Sequence, residues 1–585
     1  MYIQKKIHNR IKKGIYIYNI MNLSNILVFL TVLLIIICTF TVYGHNTKKK
    51  VNHLPGMPAY SKRSTSNMYT GFVNVDEATD TNLFYMLVEA EENPMDKPLI
   101  WWMNGGPGAS SFAGLFGENG PYLLKSDMKL LRNPYSWNNI ANVLYVEFAP
   151  GIGYSYCKSS YDGTSPCPQT SGSCSPCNTS DTLVAEQNLK FLQSFIIGDN
   201  KNQPLFPEYK GRPLYIAGES YAGVYIPTFT QLLLETVENV KDINLNGIFV
   251  TDPCTSNKYQ FGWLDLNPRF AYEKGIISMG TLNTIESKAC SSGRTSVGDY
   301  RRQVKTVDCR KAWRMYDIAL AGIGNAVQPN PIYNLPMYID PLNAFGPSGG
   351  PNLPGYLNLQ DVKTALNANG SKNKVYHIEI GNNGYPNYHS EYSACNNNPD
   401  RKTSDMLDIY KEIIMMSKEQ KPSTLNFKTV IVSSGDIDPV VNLHGTEKAI
   451  EALNLTEVNG GVRRPWFFNG TGTDMGTIVE KPWAWGQTLH TKNSGPQIGG
   501  FIRNFNTTCN VDFHFVTVRD SGHMTPAYAP LRVLHMINHT LVNHKFLSTV
   551  LPSNFESVDD TTFYGTEDSA GIFTKWVLEN MEQAI

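Results

Sequence analysis

The sequence predicts an α/β protein with a mostly parallel central sheet. Short β-branched or aromatic runs recur through the first half of the chain, and a stretch with helical spacing separates two of them. The same pattern returns near the C-terminus after a long interval rich in loops and helices. Strand, helix and strand in succession are typical of a parallel sheet. The simplest architecture is one α/β domain interrupted by an inserted helical cap.

Each predicted element follows from local pattern. Residues 182–197 have the spacing of a helix, with Leu183, Leu189 and Phe191 able to share one face. The predicted strands are 71–75, 83–88, 99–103, 143–148, 214–217, 248–250, 430–433 and 513–518. We therefore expect a core at 67–254 and 426–545, a cap at 255–425, and a C-terminal tail at 546–585 with a helix at 573–581.

The composition is that of a folded protein with a large core. Hydrophobic residues make up 41% of the 585 residues and charged residues 17%, which excludes global disorder. The 50 basic side chains balance 51 acidic ones, so a net charge of -1 provides no long-range attraction for polyanions. Nucleic acid is therefore not expected as a partner.

Residues 1–44 are expected to be a targeting segment. Basic side chains precede the apolar run 26–42, which ends close to Gly44. The run is longer than a typical signal-peptide core and shorter than the about 20 residues of a membrane span. Its length favours a cleaved signal peptide over a signal anchor, and only an uncleaved anchor is expected to bring the chain to a membrane. The polar segment 45–66 is expected to be a linker.

Nine cysteines follow the leader, an odd number that leaves at least one thiol unpaired or in an intermolecular bond. Cys174 and Cys177 form a CxxC, but no second CxxC or nearby histidine pair completes a zinc site. We expect a disulfide-laced loop here, and neither a metal nor a cofactor. Sequons permit a glycoprotein of a lumenal compartment, and they stand at Asn178, Asn369, Asn454, Asn469, Asn506 and Asn538.

The sharpest local signal is GESYAG at 218–223, directly after the predicted strand LYIA. A nucleophile elbow needs small residues on both sides of a serine, because the strand turns sharply into a helix and the hydroxyl must project from the turn. Gly218 and Ala222 supply them. Ser220 is therefore the candidate nucleophile.

A serine nucleophile requires a base, and the base requires an acceptor that orients it. GDIDPVVN at 435–442 and RDSGHMTP at 519–526 each follow a predicted strand, and they supply Asp438 and His523. The chain order Ser, Asp, His is that of an α/β-hydrolase. Asp436 is the competing acid, which we expect instead to accept backbone N–H groups in a turn.

The glycine-rich stretch WWMNGGPGASS at 101–111 also follows a predicted strand. A tetrahedral oxyanion needs two N–H donors aimed at it. The candidates for this oxyanion hole are the backbone N–H groups of Gly106 and of Tyr221, the residue after the nucleophile. A phosphate cradle is the alternative for such a loop, but no GK[ST] follows.

Several longer stretches together resemble the serine carboxypeptidases over residues from about 67 to 540. The resemblance implies an α/β-hydrolase fold with an inserted cap, and release of single C-terminal amino acids through an acyl-enzyme, favoured at acid pH. It also implies residence in the vacuole, the lysosome or outside the cell, and the triad Ser220, Asp438 and His523. The stretches are WWMNGGPGASS, ENGPY (118–122), NPYSWNNIANVLYVE (133–147), GIGYSY (151–156), FPEYKGRPLYIAGESYAGVYIP (206–227), YLNLQDVKTAL (356–366), GDIDPVVN and GHMTP.

The resemblance further implies that Asn104, Glu118 and Glu219 bind the C-terminal carboxylate of a substrate. Two ionised glutamates would repel that carboxylate, so at least one must be protonated, and neighbouring carboxyl groups raise each other's pKa. Acid pH should therefore favour binding of peptide or protein C-termini, the expected partners.

The chain departs from the family at three places. Ala109 stands where the family commonly has a cysteine whose partner matches Cys395, so we expect Cys395 to be a free thiol. VTDP at 250–253 replaces a frequent Gly-Asn, and EFAP at 147–150 replaces Asp-Gln-Pro. These departures concern the pocket rather than the reaction.

Two other functions compete with a carboxypeptidase. An acyltransferase on the same scaffold would give the acyl group to an alcohol, but such relatives often alter the residue before the serine, and Glu219 is retained. A noncatalytic binding protein would not need a triad and two oxyanion donors. The side-chain preference next to the scissile bond stays open.

Overall fold

The computed structural model describes most of the chain between residues 46 and 547. Our expectations for the leader, for Cys174 and for the helix at 573–581 lie outside these residues. No helix among them is long and apolar enough to cross a membrane. The described residues are 46–58, 66–125, 127–158, 177, 179–198, 203–236, 240, 242–260, 268–287, 290, 306–323, 352–373, 375–376, 378, 388–395, 404–419, 426–438, 440–458, 463–471, 494–507, 509, 511–544 and 547.

The described elements alternate between strands and helices before and after a mainly helical interval. The strands are β1 (Lys49–Val51), β2 (Met68–Asp76), β3 (Thr81–Val88), β4 (Leu99–Met103), β5 (Tyr122–Leu124), β6 (Leu130–Arg132), β7 (Asn142–Glu147), β8 (Thr179–Ser180), β9 (Pro213–Glu219), β10 (Asn244–Thr251), β11 (Tyr388–His389), β12 (Thr429–Gly435), β13 (Thr456–Glu457), β14 (Arg464–Thr471), β15 (Ser494–Asn506) and β16 (Asp512–Val518). The α-helices are α1 (Phe112–Gly117), α2 (Asp181–Leu192), α3 (Ala222–Glu235), α4 (Pro268–Glu273), α5 (Met279–Glu286), α6 (Val307–Ile323), α7 (Leu353–Asn358), α8 (Gln360–Ala365), α9 (Met406–Glu419), α10 (Leu443–Glu451), α11 (Thr525–Tyr528) and α12 (Pro530–Met536).

Twelve strands form one mixed sheet in the order β1-β2-β3-β7-β4-β9-β10-β12-β16-β15-β13, with β14 paired to β15. The run β7-β4-β9-β10-β12-β16 is parallel throughout, and antiparallel strands flank it on both sides. The predicted α/β class and parallel centre are therefore confirmed. The carboxyl ends of β9, β10, β12 and β16 lie side by side at one edge, where such sheets place their ligands.

The central strands are buried on both faces, as parallel strands require. All five residues of β4 are buried, and neighbouring tryptophans point to opposite sides. Trp101 packs against Phe191 of α2 and Phe229 of α3, with ring centroids 5.3 and 5.5 Å apart. Trp102 belongs to the apolar cluster on the other face, where its ring meets Trp137 edge-on at 5.1 Å.

Two expectations need correction. The segment expected to be a linker contributes β1, which pairs antiparallel with β2, because Val51 and Leu54 are apolar enough to be buried in the core. The predicted helix 182–197 is two elements, since α2 ends at Leu192 and a π-helical turn, Gln193–Ile197, follows.

The hairpin of β14 and β15 was missed, because Gly499 and Gly500 interrupt its alternating pattern.

Candidate active site

Ser220 lies in the turn between β9 and α3. Its φ of +59° is in the left-handed region that non-glycine residues rarely adopt. Backbone hydrogen bonds fix the turn: the Ser220 N–H donates to Thr251 O of β10, and the Ser220 carbonyl accepts from the N–H groups of Gly223 and Cys254. The side chain is partly exposed, while both flanking residues are buried. This is the geometry of a nucleophile elbow.

The small residue before the turn is required by the neighbouring strand. A Cβ at Gly218 would lie only 2.3 Å from the carbonyl oxygen of Met103 in β4 and 2.8 Å from the Ala222 Cβ. The elbow therefore packs closely against β4.

Of the two candidate acids, Asp438 is the one that meets the histidine. The fully buried Asp438 accepts a hydrogen bond from His523 at 2.8 Å, between Oδ2 and Nδ1. The amides of Val440 and Val441 also donate to this carboxylate, at 2.8 and 3.1 Å. Because Nδ1 faces the acid, Nε2 is the ring nitrogen available to exchange a proton with a nucleophile. Asp436 instead accepts from the Ser521 N–H at 3.4 Å, as expected of a turn residue.

Asp252, at the end of β10, joins the pair. One carboxyl oxygen of Asp252, one of Asp438 and a ring nitrogen of His523 lie within 4.8 Å of one another, and all three residues are buried. Asp252 directly follows β10, and β10 is the neighbour of β9, the strand that leads to Ser220. His523 therefore lies near the carboxyl end of the strand next to β9.

Asp252 was missed as a site residue, and its only sequence signal was the VTDP departure. Within the described residues, Asp252, Asp438 and His523 form the one group of side chains with the spacing of a metal site. Their atoms already bind each other and backbone N–H groups, so the arrangement is a hydrogen-bonded network and not an open set of ligands.

The loop that carries Gly106 approaches Tyr221 and the candidate nucleophile Ser220 closely. A Cβ at Gly105 would lie 2.3 Å from the Tyr221 amide nitrogen and 2.8 Å from the Ser220 Cβ, so only glycine allows the loop so close. Gly106, the next residue, has a φ of +119°. Among the hydrogen bonds of the described residues, neither the Gly106 nor the Tyr221 N–H donates to a protein acceptor. Both amides are therefore free of competing acceptors there.

Asn104, Glu118 and Glu219 form one buried cluster. The Asn104 side-chain nitrogen donates to Glu118 Oε1 at 3.1 Å and to Glu219 Oε1 at 2.8 Å. Its oxygen accepts from Trp102 Nε1 at 2.8 Å and from the Gly114 N–H at 2.9 Å. These bonds fix the amide orientation, so that both N–H donors face the two glutamates.

Burial sets the protonation of the glutamates. Desolvation raises the pKa of Glu118 to about 7, although Asn104, Glu219 and His523 oppose the shift. Desolvation, followed by the charge of Glu118, raises the pKa of Glu219 well above its usual range. The pair therefore retains at least one proton at acid and neutral pH, as the like charges require.

A second buried network, not predicted from the sequence, holds the residue after the nucleophile. Asp181, the first residue of α2, accepts from the Tyr388 hydroxyl and the Glu391 N–H, each at 2.6 Å. The Tyr221 hydroxyl donates to the same carboxylate at 3.2 Å. Asp181 thus connects Tyr221, a candidate oxyanion donor, to the segment that contains Cys395.

The expectation of a free Cys395 was wrong. Cys395 forms a disulfide with Cys254, whose Cα is 5.4 Å away. Cys254 lies just after β10, and its N–H donates to the Ser220 carbonyl at 3.0 Å. The partner of Cys395 is therefore a cysteine next to the Ser220 turn and not one at position 109. With alanine at position 109, the bridge attaches the 388–395 segment directly behind the nucleophile turn. Two further disulfides, Cys157–Cys177 and Cys290–Cys309, close shorter loops.

Comparison with known proteins gives one consistent result. The serine carboxypeptidase family model matches residues 55–543. Serine carboxypeptidase-like 36 and serine carboxypeptidase-like 38 of Arabidopsis thaliana are each 29% identical to the chain, over 85% of it and 86% of their own lengths. The crystal structure of Kex1(delta)p, a prohormone-processing carboxypeptidase from Saccharomyces cerevisiae, superimposes with a TM-score of 0.56 at 18% identity, covering 84% of this chain and 94% of that one. The likeness in structure confirms the α/β-hydrolase fold, and the family match covers nearly the whole described region. The chain belongs to the serine carboxypeptidase family.

Proposed function

We propose that the protein is a serine-type carboxypeptidase that releases single C-terminal amino acids from peptides. One observation carries the proposal: the buried Asn104–Glu118–Glu219 cluster includes Glu219, the residue directly before Ser220. A substrate whose terminal carboxylate binds this cluster would have the carbonyl of its last peptide bond close to the proposed nucleophile. The last peptide bond is then the one that is cleaved.

The proposed acylation step uses the serine and histidine directly. Ser220 Oγ attacks the carbonyl carbon while His523 Nε2 removes the hydroxyl proton, and the amides of Gly106 and Tyr221 stabilise the oxyanion. His523 then gives that proton to the leaving amine, which departs as a free amino acid. Asp438 holds the ring through Nδ1 and stabilises the imidazolium, as the 2.8 Å contact supports.

The deacylation step repeats the sequence with water. His523 takes a proton from a water molecule, whose oxygen attacks the acyl carbon, and the proton returns to Ser220 Oγ as the ester bond breaks. The products are a peptide shortened by one residue and the regenerated enzyme.

The glutamate pair supports an acid preference. A protonated carboxyl can donate a hydrogen bond to a substrate carboxylate, whereas an ionised one repels it. Since burial raises the pKa of Glu118 to about 7, carboxylate binding should weaken as pH rises through that value. The three disulfides of the described residues are typical of an oxidising compartment, which supports residence in the secretory pathway. The vacuole, the lysosome or the exterior is proposed as the destination from membership of the family alone.

The experiment measures hydrolysis of a blocked dipeptide from pH 4.5 to 8, against the same dipeptide with a C-terminal amide. We expect KM for the acid to rise above about pH 7, while KM for the amide changes little. Glu118→Gln should flatten the curve for the acid, because glutamine is neutral throughout. Curves for acid and amide that run in parallel would contradict carboxylate binding by this cluster.

Ser220→Ala is the control for chemistry. It should abolish release of the amino acid while leaving binding of the peptide acid intact. Wild-type protein that releases no amino acid at any pH would overturn the proposed activity. Transfer of the acyl group to an added alcohol without hydrolysis would indicate an acyltransferase instead.

A further inference from the structure

Asp252 is a fully buried carboxyl beside the triad acid that the mechanism above does not use. It follows β10 with a φ of +45°, and its N–H donates to Ser433 O of β12 at 2.9 Å. Its side chain is 0% exposed, like that of Asp438. A polar group held there by a strained backbone has a specific role in the packing of the site.

The Oδ1 atom of the Asp252 carboxyl only accepts hydrogen bonds. Its Oδ1 accepts from the Ser434 hydroxyl at 3.0 Å and from the Gly435 N–H at 2.9 Å. One carboxyl oxygen of Asp252 also lies within 4.8 Å of a carboxyl oxygen of Asp438, an acceptor to which only a donor can bond favourably. Two ionised carboxylates in contact away from water would repel strongly, so the pair must hold a proton.

The hydrogen bonds decide which aspartate carries that proton. Asp438 accepts from His523 and from two backbone amides, the arrangement that stabilises a carboxylate. Asp252 also has three donors, but two of them are neutral hydroxyls, those of Ser434 and Thr251, and only one is a backbone amide. Burial and the charge of Asp438 raise the pKa of Asp252 well above the usual range. The other ionisable groups that face it are His523 and, more distantly, Glu219 at the end of β9.

We propose that Asp252 is a positioning residue that stays protonated in the active protein and donates a hydrogen bond to Asp438. The triad acid is then held between two proton-bearing partners, His523 on one side and Asp252 on the other. Asp252 keeps Asp438 aimed at His523 Nδ1 and shares its negative charge. The catalytic part of this inference rests on the proposed function, but the protonation of Asp252 does not.

Asp252→Asn tests the proton directly through stability. An asparagine oxygen can still accept from Ser434 and Gly435 while its NH2 donates to Asp438, so the fold is retained. In the wild type, a carboxyl with a raised folded-state pKa stabilises the protein below its unfolded pKa of about 4, and this contribution is lost as pH rises. The asparagine has no such loss.

We therefore expect Tm of Asp252→Asn minus Tm of the wild type to be small near pH 4.5 and to increase steadily to pH 8. Asp361→Asn, in an exposed first turn of α8, is the matched control and should show no such trend. A difference that is constant over this range would mean that Asp252 holds no bound proton, and would overturn the proposal.

The second experiment measures activity on a blocked ester substrate without a free carboxylate, so that the protonation of Glu118 and Glu219 does not affect substrate binding. At pH 5 we expect Asp252→Asn to keep kcat within about threefold of the wild type. Asp252→Ala, checked for folding by circular dichroism, should lose at least tenfold in kcat with KM unchanged. An asparagine variant as impaired as the alanine variant would contradict the donor role. If the wild type hydrolyses no ester, the proposed function fails, while the stability arm still decides the state of Asp252.

Discussion

At the scale of single residues, the site combines positive φ angles at Ser220 and Asp252 with buried carboxyl groups that lie close together. Ser220 was predicted from small neighbours in GESYAG, and the structure places it in the left-handed region at a φ of +59°. Asp252 could not be predicted, because its importance comes from a contact with Asp438, 186 positions later in the chain. Burial and the charge of Asp438 raise the pKa of Asp252, and neither cause is visible in the sequence.

Replacing Ser220 by glycine should separate activity from stability. A left-handed conformation costs a non-glycine residue about 1–2 kcal/mol, partly offset by the greater unfolded-state entropy of glycine. Ser220→Gly should therefore be inactive, yet unfold with a free energy about 0.5–1 kcal/mol larger than that of Ser220→Ala. Urea denaturation of the two inactive variants measures the difference. A glycine variant less stable than the alanine variant would argue against strain at this position.

At the scale of elements, Arg503 of β15 forms ion pairs that connect the C-terminal part of the sheet to α10. Its guanidinium pairs with Glu447 at 2.7 Å and Glu451 at 2.9 Å in α10, and also with Glu457 in β13. The Arg503 side chain is only 10% exposed, so this network is better shielded than an ordinary surface ion pair. The alternation in the sequence does not predict it, because its partners come from separate elements.

Arg503→Met should lower the free energy of unfolding by about 2–4 kcal/mol, since it leaves neighbouring carboxylates without their cation. Arg463→Met is the matched control, because Arg463 also pairs with Glu447 but is 41% exposed. The control should cost less than about 1 kcal/mol. Equal losses in urea titrations at low salt would show that burial of the Arg503 network adds nothing.

The Cys254–Cys395 disulfide closes the longest loop of the described bridges, with a sequence separation of 141 against 19 for Cys290–Cys309. Cys254→Ala with Cys395→Ala should lower stability by about 2–5 kcal/mol, because a long closed loop restricts the unfolded chain most. The pair Cys290→Ala and Cys309→Ala should cost less. Thermal unfolding of both double variants tests the order, and a larger loss for the short loop would contradict it.

At the scale of the whole molecule, the parallel strands collect distant residues at one edge. The carboxyl ends of β9, β10, β12 and β16 bring Ser220, Asp252, Asp438 and His523 to neighbouring positions. The fold also carries ionisable groups into the interior, on the sheet and beside it. Burial raises the pKa of Glu118 and of Glu147 to about 7 and lowers the pKa of His514 to about 4.

The protein should be more stable at pH 5 than at pH 7.5. A carboxyl with a raised folded-state pKa contributes stability below its unfolded value of about 4.5, and this is lost as pH rises to about 7. The lowered pKa values of His514, His535 and His544 act oppositely below about pH 6.5, but the carboxyls with a raised pKa, Glu118, Glu147, Glu219 and Asp252 among them, outnumber these histidines. Calorimetry across this range measures the trend.

Glu147→Gln provides the control for this trend. Its oxygen can keep accepting from the Ser110 hydroxyl at 2.9 Å and the Tyr376 hydroxyl at 2.7 Å, but it no longer titrates. The variant should lose up to about 3 kcal/mol of the pH dependence, the equivalent of the shift in pKa. A slope equal to that of the wild type would mean that Glu147 does not contribute.

The sequence by itself determined the elements that rest on local pattern. The runs that became β4, β9 and β16 were visible because strands buried on both faces are continuous in apolar residues, and the elbow was visible because its small residues are adjacent. It also placed Asp438 and His523 on loops after strands, where the structure joins them at 2.8 Å. Tertiary structure alone decided the partner of Cys395, the inclusion of residues 49–51 in the sheet, and the contacts of Asp252 and Asp181. Those features depend on which distant groups meet away from water, and a disulfide, a strand pairing or a shared proton has no periodicity along the chain.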